Sequence, residues 1–332
     1  MVDFRYHLVS IIAVFLALAV GIVLGAGPLD KPIDQAVKDR AATLAKDKAE
    51  LRTQNDALSA QRDFDESLIK EAVPAVVGGR LEAVAVNVVA MPGTSGDLLG
   101  AARDAIEEAG GTVGGTVSLT SDWTDPTRST DLDAALTATG QVSGLSGTDA
   151  TSVAARAAAA VASSVVTTDT TAVGKADPAS QAVLRTLRDA AFLRMGGKPW
   201  QRASLAVVLV PAPAQVASGS SRSPQQAAVD QATGVADVQV PQQLSKLAAG
   251  LVVAGPQHSA DPAGAGPAGA VAVVRSGPLR TSVSTVDDLD MTAGRLALAL
   301  ALVAERDDQT GHYGNGAAAD APLPAIPGVT ER

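Results

Sequence analysis

Residues Leu8–Leu29 read LVSIIAVFLALAVGIVLGAGPL and hold no ionisable side chain. About 22 such residues, at 1.5 Å of rise each, cross a hydrocarbon core of about 30 Å as one helix. A stretch like this demands a lipid environment, so the rest of the chain is read as hanging from it. Residues 1–7 are expected to form a short cytoplasmic stub. A secretory signal is the competing reading, because Gly25-Ala26-Gly27 is small enough for a peptidase. Signal cores run about 7–15 apolar residues, however, and this one is longer. The expectation is therefore an uncleaved anchor. The α-amine and Arg5 stand against Asp3 before the helix, and Asp30, Lys31 and Asp34 follow it. The positive-inside rule then places the N-terminus inside and the C-terminal domain outside the cytoplasm, on a plasma membrane crossed once.

Ala13, Ala17, Gly21 and Gly25 recur every four residues and share one face of that helix. Small residues at this spacing let a second helix approach closely, which makes the stripe a candidate pairing face. An Ala-rich chain also produces such stripes by composition.

Past Pro28 and Pro32 the sequence turns charged and helical. Val37, Leu44, Leu51 and Leu58 recur every seven residues, and no Gly or Pro interrupts the chain from Ile33 to Ile69. A heptad apolar row flanked by charges predicts a coiled coil, here a stalk over residues 33–70. With those residues at d, the a row is Ala41, Lys48, Asn55 and Arg62. Asn55 is the residue type that sets register and oligomer state. The expectation is a modest parallel dimer; the alternative is one amphipathic helix folded onto the domain that follows. Phe64 and Leu68 end the heptad at a four-residue spacing, and Pro74 with Gly78-Gly79 is expected to break the helix.

Residues 80–310 predict an exported α/β domain with a Rossmann-like parallel sheet. Ala83–Ala90 (AVAVNVVA) and Leu205–Val210 (LAVVLV) are near-continuous apolar runs, the pattern of strands buried on both faces. Ala83–Ala90, a helix over Leu98–Ala109 and a strand over Thr112–Leu119 make a βαβ unit. Leu132–Ala138, Ala150–Val166, a segment entered at Asp177-Pro178 and Val240–Ala249 predict helices. Leu251–Ala254 and Ala270–Val274 predict strands. Gly294–Arg306 alternates Leu like a strand, yet its length and its Ala and Leu content favour a buried helix. Pro211–Gln226 is expected to be a mobile loop, Pro256–Gly269, rich in Gly, Pro and Ala, to be disordered, and 311–332 to be a flexible C-terminal tail.

Net charge is −9, from 26 Lys and Arg against 35 Asp and Glu, which argues against a nucleic-acid partner. The chain has no Cys, which excludes thiolate nucleophiles and Cys-ligated metals. Dinucleotide, P-loop and nucleophile-elbow signatures are missing, so no enzyme activity is expected. The loop Met91–Asp97 places backbone N–H groups at a helix start, where anions bind, a feature many parallel-sheet loops share. Asp287, Asp288 and Asp290 in SVSTVDDLD are candidate oxygen ligands for a hard cation, or else a turn leading to a helix capped by Asp290 or Thr292. His312, in Gly311-His312-Tyr313-Gly314, is either a metal ligand or part of a docking turn. His7 and His258 stand in unrelated contexts.

Several of these stretches carry a resemblance. Phe4-Arg5-Tyr6-His7-Leu8-Val9-Ser10, the run Ala13–Ala19 and Gly21-Ile22-Val23-Leu24-Gly25 are similar to the opening of the actinobacterial MctB family. Ser284-Thr285-Val286-Asp287-Asp288-Leu289-Asp290, Gly294-Arg295 and Gly311-His312-Tyr313-Gly314 resemble its C-terminal signatures, in the same order. The resemblance implies a role in copper homeostasis or efflux. It also implies the role of SteB-like members, anchored scaffolds of septal peptidoglycan remodelling and cell division that work with a cytoplasmic SteA-like protein and a peptidoglycan hydrolase. The residues themselves argue against a copper conduit. Cu(I) favours Cys or Met sulfur, and the four methionines, Met1, Met91, Met195 and Met291, are scattered. No cofactor is expected from the residues; copper enters through the resemblance alone.

Overall fold

The protein's structure, a computed structural model, describes residues 4–25, 30–140, 152–214, 223–262 and 267–326. The chain divides into two units, Met1–Asp65 and Glu66–Arg332.

In the first unit, α1 (Phe4–Gly25) carries the apolar run. Its segment Tyr6–Val23 is long and apolar enough to cross a membrane, and none of it is buried by protein. Residues 26–29, the end of the expected anchor, lie outside the described residues. Helix α2 (Asp30–Val77) begins in this unit and ends in the second. Val37, Leu44, Leu51 and Leu58 are 61–70% exposed along it.

One departure from expectation concerns α2. It continues through Pro74 to Val77, where Gly78 N–H donates to the Pro74 carbonyl. Proline interrupts a helix interior through its missing N–H and ring clash. The turn that holds Pro74 is instead secured by Val73 and Val77, which are buried in the core of the second unit.

The second unit is a seven-stranded sheet in the order β3-β2-β1-β4-β5-β6-β7. The strands are β1 (Ala85–Ala90), β2 (Thr112–Leu119), β3 (Leu193–Gly197), β4 (Leu205–Leu209), β5 (Gly250–Ala254), β6 (Ser284–Val286) and β7 (His312–Tyr313). Only the β2–β3 pair is antiparallel. The Rossmann-like parallel sheet read from the apolar runs is therefore present, with the doubly wound order reversing between β1 and β4. β4 and β5 are buried along their whole length, as strands with helices on both faces must be.

One face of the sheet is covered by α4 (Ser129–Thr139), α5 (Val153–Val165), α6 (Pro178–Asp189), α7 (Pro224–Ser245) and α8 (Ala270–Ser276), through Leu136, Val161, Leu184, Leu244 and Val271 among others. The other face is covered by the end of α2, α3 (Gly96–Glu108) and α9 (Thr292–Arg306), through Val77, Ile106 and Leu298–Leu302. Alanine carries much of this packing. Ala155, Ala157, Ala158 and Ala160 of α5 are buried, and their small side chains bring α7 close without large aromatics.

The structure corrects four further expectations. Ala270–Val274 is helical, not a strand; an apolar run of five cannot separate the two, and Val271 and Val274 face the core at helical spacing. Ser284–Val286 is the sixth strand rather than a turn. Pro224 opens α7, so the expected loop is shorter; residues 215–222 lie outside the described residues. Residues 311–326 are not a loose tail. They add β7 to the sheet, and Leu323 and Ile326 pack against the core.

Helix α7 carries a buried acid. Pro241 has no N–H to offer the Asp237 carbonyl one turn back, and Asp237 Oδ1 has no partner among the described residues. Burial pushes the Asp237 carboxyl up from its ordinary value of 3.8 to about 7. The folded chain thus keeps a proton that the unfolded chain has already released, so this group lowers stability as pH rises from about 4 through about 7. Asp237→Asn is expected to match the parent protein in urea unfolding at about pH 4 and exceed it at about pH 8. Equal stability of the two at both pH values would refute a buried proton at this position.

Candidate functional site

The polar heart of the second unit lies at the carboxyl ends of β5, β6 and β7. Arg275, on the last turn of α8, is fully buried and pairs with the Asp287 carboxylate at 2.7 Å. A guanidinium buried this deeply needs its other donors satisfied, and the 311–326 segment supplies most of the acceptors. Nη2 donates to Tyr313 O at 2.7 Å, Nη1 to Ala317 O at 3.1 Å, and Nε to Thr285 Oγ1 at 2.8 Å. Asp287 in turn accepts the backbone N–H groups of Asn315 at 2.9 Å and Gly316 at 3.0 Å. One ion pair between α8 and the β6 loop therefore holds the segment in place.

His312 belongs to the same network. Its Nδ1 lies 2.9 Å from Thr285 Oγ1 and its Nε2 3.0 Å from the Arg280 carbonyl. The carbonyl can only accept, so Nε2 carries the proton and Nδ1 accepts from the Thr285 hydroxyl. Burial first, and then the Arg280 charge, lowers the His312 pKa and keeps the ring neutral. Both ring nitrogens are engaged inside the fold.

The three candidate carboxylates part ways. Asp287 is the partner of Arg275. Asp288 sits in a left-handed turn (φ 56°), and burial, then the adjoining Asp287 carboxylate, pushes it up to about 7. Asp290 accepts the Gln257 N–H at 2.8 Å. Among the described residues no group of three or more His, Asp or Glu side chains is placed to hold a metal ion.

The signature glycines are explained by the same geometry. A methyl group at Gly314 (φ 127°) would overlap the Asp287 carboxylate, and one at Gly294 would overlap the Asp288 carbonyl. Both positions need glycine because the chain passes too close for a Cβ. Neither Asp290 nor Thr292 caps α9. Its N-cap is Met291, and the free Thr292 N–H is taken by the Glu66 carboxylate at 3.1 Å. Glu66 is distant in sequence and lies past the heptad row, where the spacing has already drifted, so no local signal marks it. The same holds for Arg275, which stands at the end of an unremarkable apolar stretch.

The Met91–Asp97 loop places Ser95 as the N-cap of α3, accepting from Leu98 N–H at 3.2 Å. The neighbouring cleft of about 540 Å³ mixes Asp97, Asp104 and Asp290 with Arg295. In the first unit, Ala13, Ala17, Gly21 and Gly25 lie on one face of α1, and a Cβ added at Gly21 or Gly25 would meet nothing within 4 Å. Val37, Leu44, Leu51 and Leu58 form an exposed row on α2, with Asn55 also exposed.

Comparison with known proteins agrees with the order of the signatures. Residues 1–324 match the family model described as "Copper transport outer membrane protein, MctB". Proteins named Copper transporter MctB from Mycobacterium bovis and Mycobacterium tuberculosis are each 30% identical to this chain over 336 residues, covering 95% of it and 97% of the relative. The protein of that name from Mycobacterium leprae is 30% identical over 331 residues, with the same coverage. A match across anchor, sheet and the segment that carries His312 and Gly314 places this chain in the MctB family.

Proposed function

We propose that this protein serves copper homeostasis as a single-pass membrane scaffold, acting by self-association and partner binding and without catalysis of its own. Its C-terminal unit faces away from the cytoplasm. The observation that carries the reading is the exposed row Val37, Leu44, Leu51 and Leu58 on an anchored helix. Four large aliphatic side chains left in water at heptad spacing are stabilised by a second helix with the same spacing. Two chains anchored at the same end meet in parallel. In that arrangement Asp47 at g faces Arg52 at e of the partner helix, and the two Asn55 amides face each other. The guanidinium of Arg275 and both ring nitrogens of His312 are engaged inside the fold, which supports a structural rather than a chemical role for them.

Copper is read as the cargo of the pathway, with no tight site in this chain. The support is the lack of Cys, the scattered methionines, and a His312 whose ring is already engaged. Titration calorimetry of the full chain with Cu(I) under reduction, and with Cu(II), is expected to show no stoichiometric high-affinity binding. A tight site that vanishes in His312→Ala would make the copper role direct.

In-cell crosslinking followed by pull-down tests the scaffold reading. A crosslinked homodimer together with copper-handling partners supports it. Capture of a SteA-like protein and a peptidoglycan hydrolase would reassign the scaffold to septal wall remodelling. Recovery of the bare monomer would overturn it.

A further inference from the structure

The β2–β3 corner of the sheet leaves part of one face open. After β2 the chain passes to α4, α5 and α6, which pack on the opposite face, and β3 then returns antiparallel. On the open side, next to α3, lies a groove of about 260 Å³. Register defines its floor. Val88 of β1 pairs with Thr116 of β2, which pairs with Gly196 of β3; two residues along, on the same face, Ser118 pairs with Arg194. Cross-strand partners point to the same face, so Thr116, Ser118 and Arg194 share it, and Gly196 leaves room above Thr116. Arg103, from α3, forms the facing wall.

The electrostatics are unbalanced. The lining holds two guanidinium groups and no carboxylate. Elsewhere Arg128, Arg156, Arg188, Arg202, Arg275, Arg280 and Arg306 each sit on an aspartate. Arg103 and Arg194 make no ion pair among the described residues, and Glu107, one turn further along α3, lies outside the lining. Two exposed guanidinium groups on one groove with no carboxylate in its lining give it a local positive potential that favours an anion, against the chain's overall charge of −9.

We propose that this groove binds the phosphate group of a small ligand. Arg103 and Arg194 hold it from two sides, and the Thr116 and Ser118 hydroxyls donate further hydrogen bonds. Guanidinium forks suit tetrahedral oxyanions. The volume is below the roughly 300–1,000 Å³ of sites for drug-sized molecules, which limits the ligand to phosphate or a short phosphomonoester. Val88 and Val113 offer an apolar floor to the ester's substituent. The site is independent of the scaffold reading.

Calorimetry on the full chain in detergent micelles tests this, with inorganic phosphate and butyl phosphate as probes and chloride at matched ionic strength as control. Saturable binding of a phosphate probe but not of chloride is expected. Tighter binding of butyl phosphate would identify an ester as the ligand, and equal or weaker binding would identify free phosphate. Arg103→Gln and Arg194→Gln should each weaken binding about tenfold or more, since each removes a charge and its charge-assisted hydrogen bonds to the phosphate oxygens. The double variant should abolish binding, while Arg185→Gln, on the exposed face of α6, should leave it unchanged. Both arginines are exposed, so circular dichroism should show all variants folded. No saturable binding of either phosphate, or binding that survives in the double variant, would overturn the site.

Discussion

Arg275→Met is expected to remove about 3–5 kcal/mol of stability, a large part of what holds an ordinary domain together. The loss comes less from the missing attraction than from what remains. Asp287, with its side chain 2% exposed, would keep a charge facing a methionine, relieved in part by the Asn315 and Gly316 N–H groups. The carbonyls of Tyr313 and Ala317 would lose their donor at the same time. Urea unfolding of both proteins in one membrane mimetic measures the effect as a shift in midpoint. Adding Asp287→Asn to the variant should recover part of the loss by removing the stranded charge. Limited proteolysis should cut within 311–326 faster in Arg275→Met than in the parent. A midpoint shift worth less than about 1 kcal/mol would mean that water reaches the pair and that the segment is held by other contacts.

Replacing Leu44, Leu51 and Leu58 together by Ala is expected to abolish self-association of the full chain. Each Leu→Ala truncation in a packed core costs about 2–5 kcal/mol, and less beside small or polar neighbours. The a row here is Ala41, Lys48, Asn55 and Arg62, so the lower end applies at each site. Because every change occurs in both helices of a dimer, the sum still exceeds what so polar a seam can offset. Light scattering in micelles should move from dimer to monomer, with the circular dichroism of the second unit unchanged. The three side chains are more than 60% exposed, so the fold of a single chain does not depend on them. Dimerisation that persists at the parent's concentration would move the interface to the Ala13, Ala17, Gly21 and Gly25 stripe or to the second unit. Asn55→Leu separates register from affinity: a dimer that tightens but loses a single crosslinking pattern would identify Asn55 as the register residue.

The anchor, the heptad row and the parallel strands were legible in the chain because each repeats a short-range period. An unbroken apolar run of about 22 residues is long enough to cross a membrane as one helix, and AVNVVA, LAVVL and GLVVA each fill a strand buried on both faces. β3 escaped because its residues LRMGG are mostly exposed at a sheet edge and show no alternation. The 311–326 segment looked like a tail because its glycines and alanines carry no periodic pattern. It is ordered by Arg275 and Asp287, which precede it in sequence by 24 residues or more. The sequence also marked Asp287, Asp288 and His312 as separate candidates without showing that they meet or what they do. Only tertiary structure gave Asp287 to a buried arginine, gave His312 to a hydroxyl and a carbonyl, and brought Glu66 to the start of α9. The reason is physical: helix, strand and anchor follow from neighbours a few residues apart, whereas the role of a polar side chain depends on which charge the fold brings to it from elsewhere in the chain.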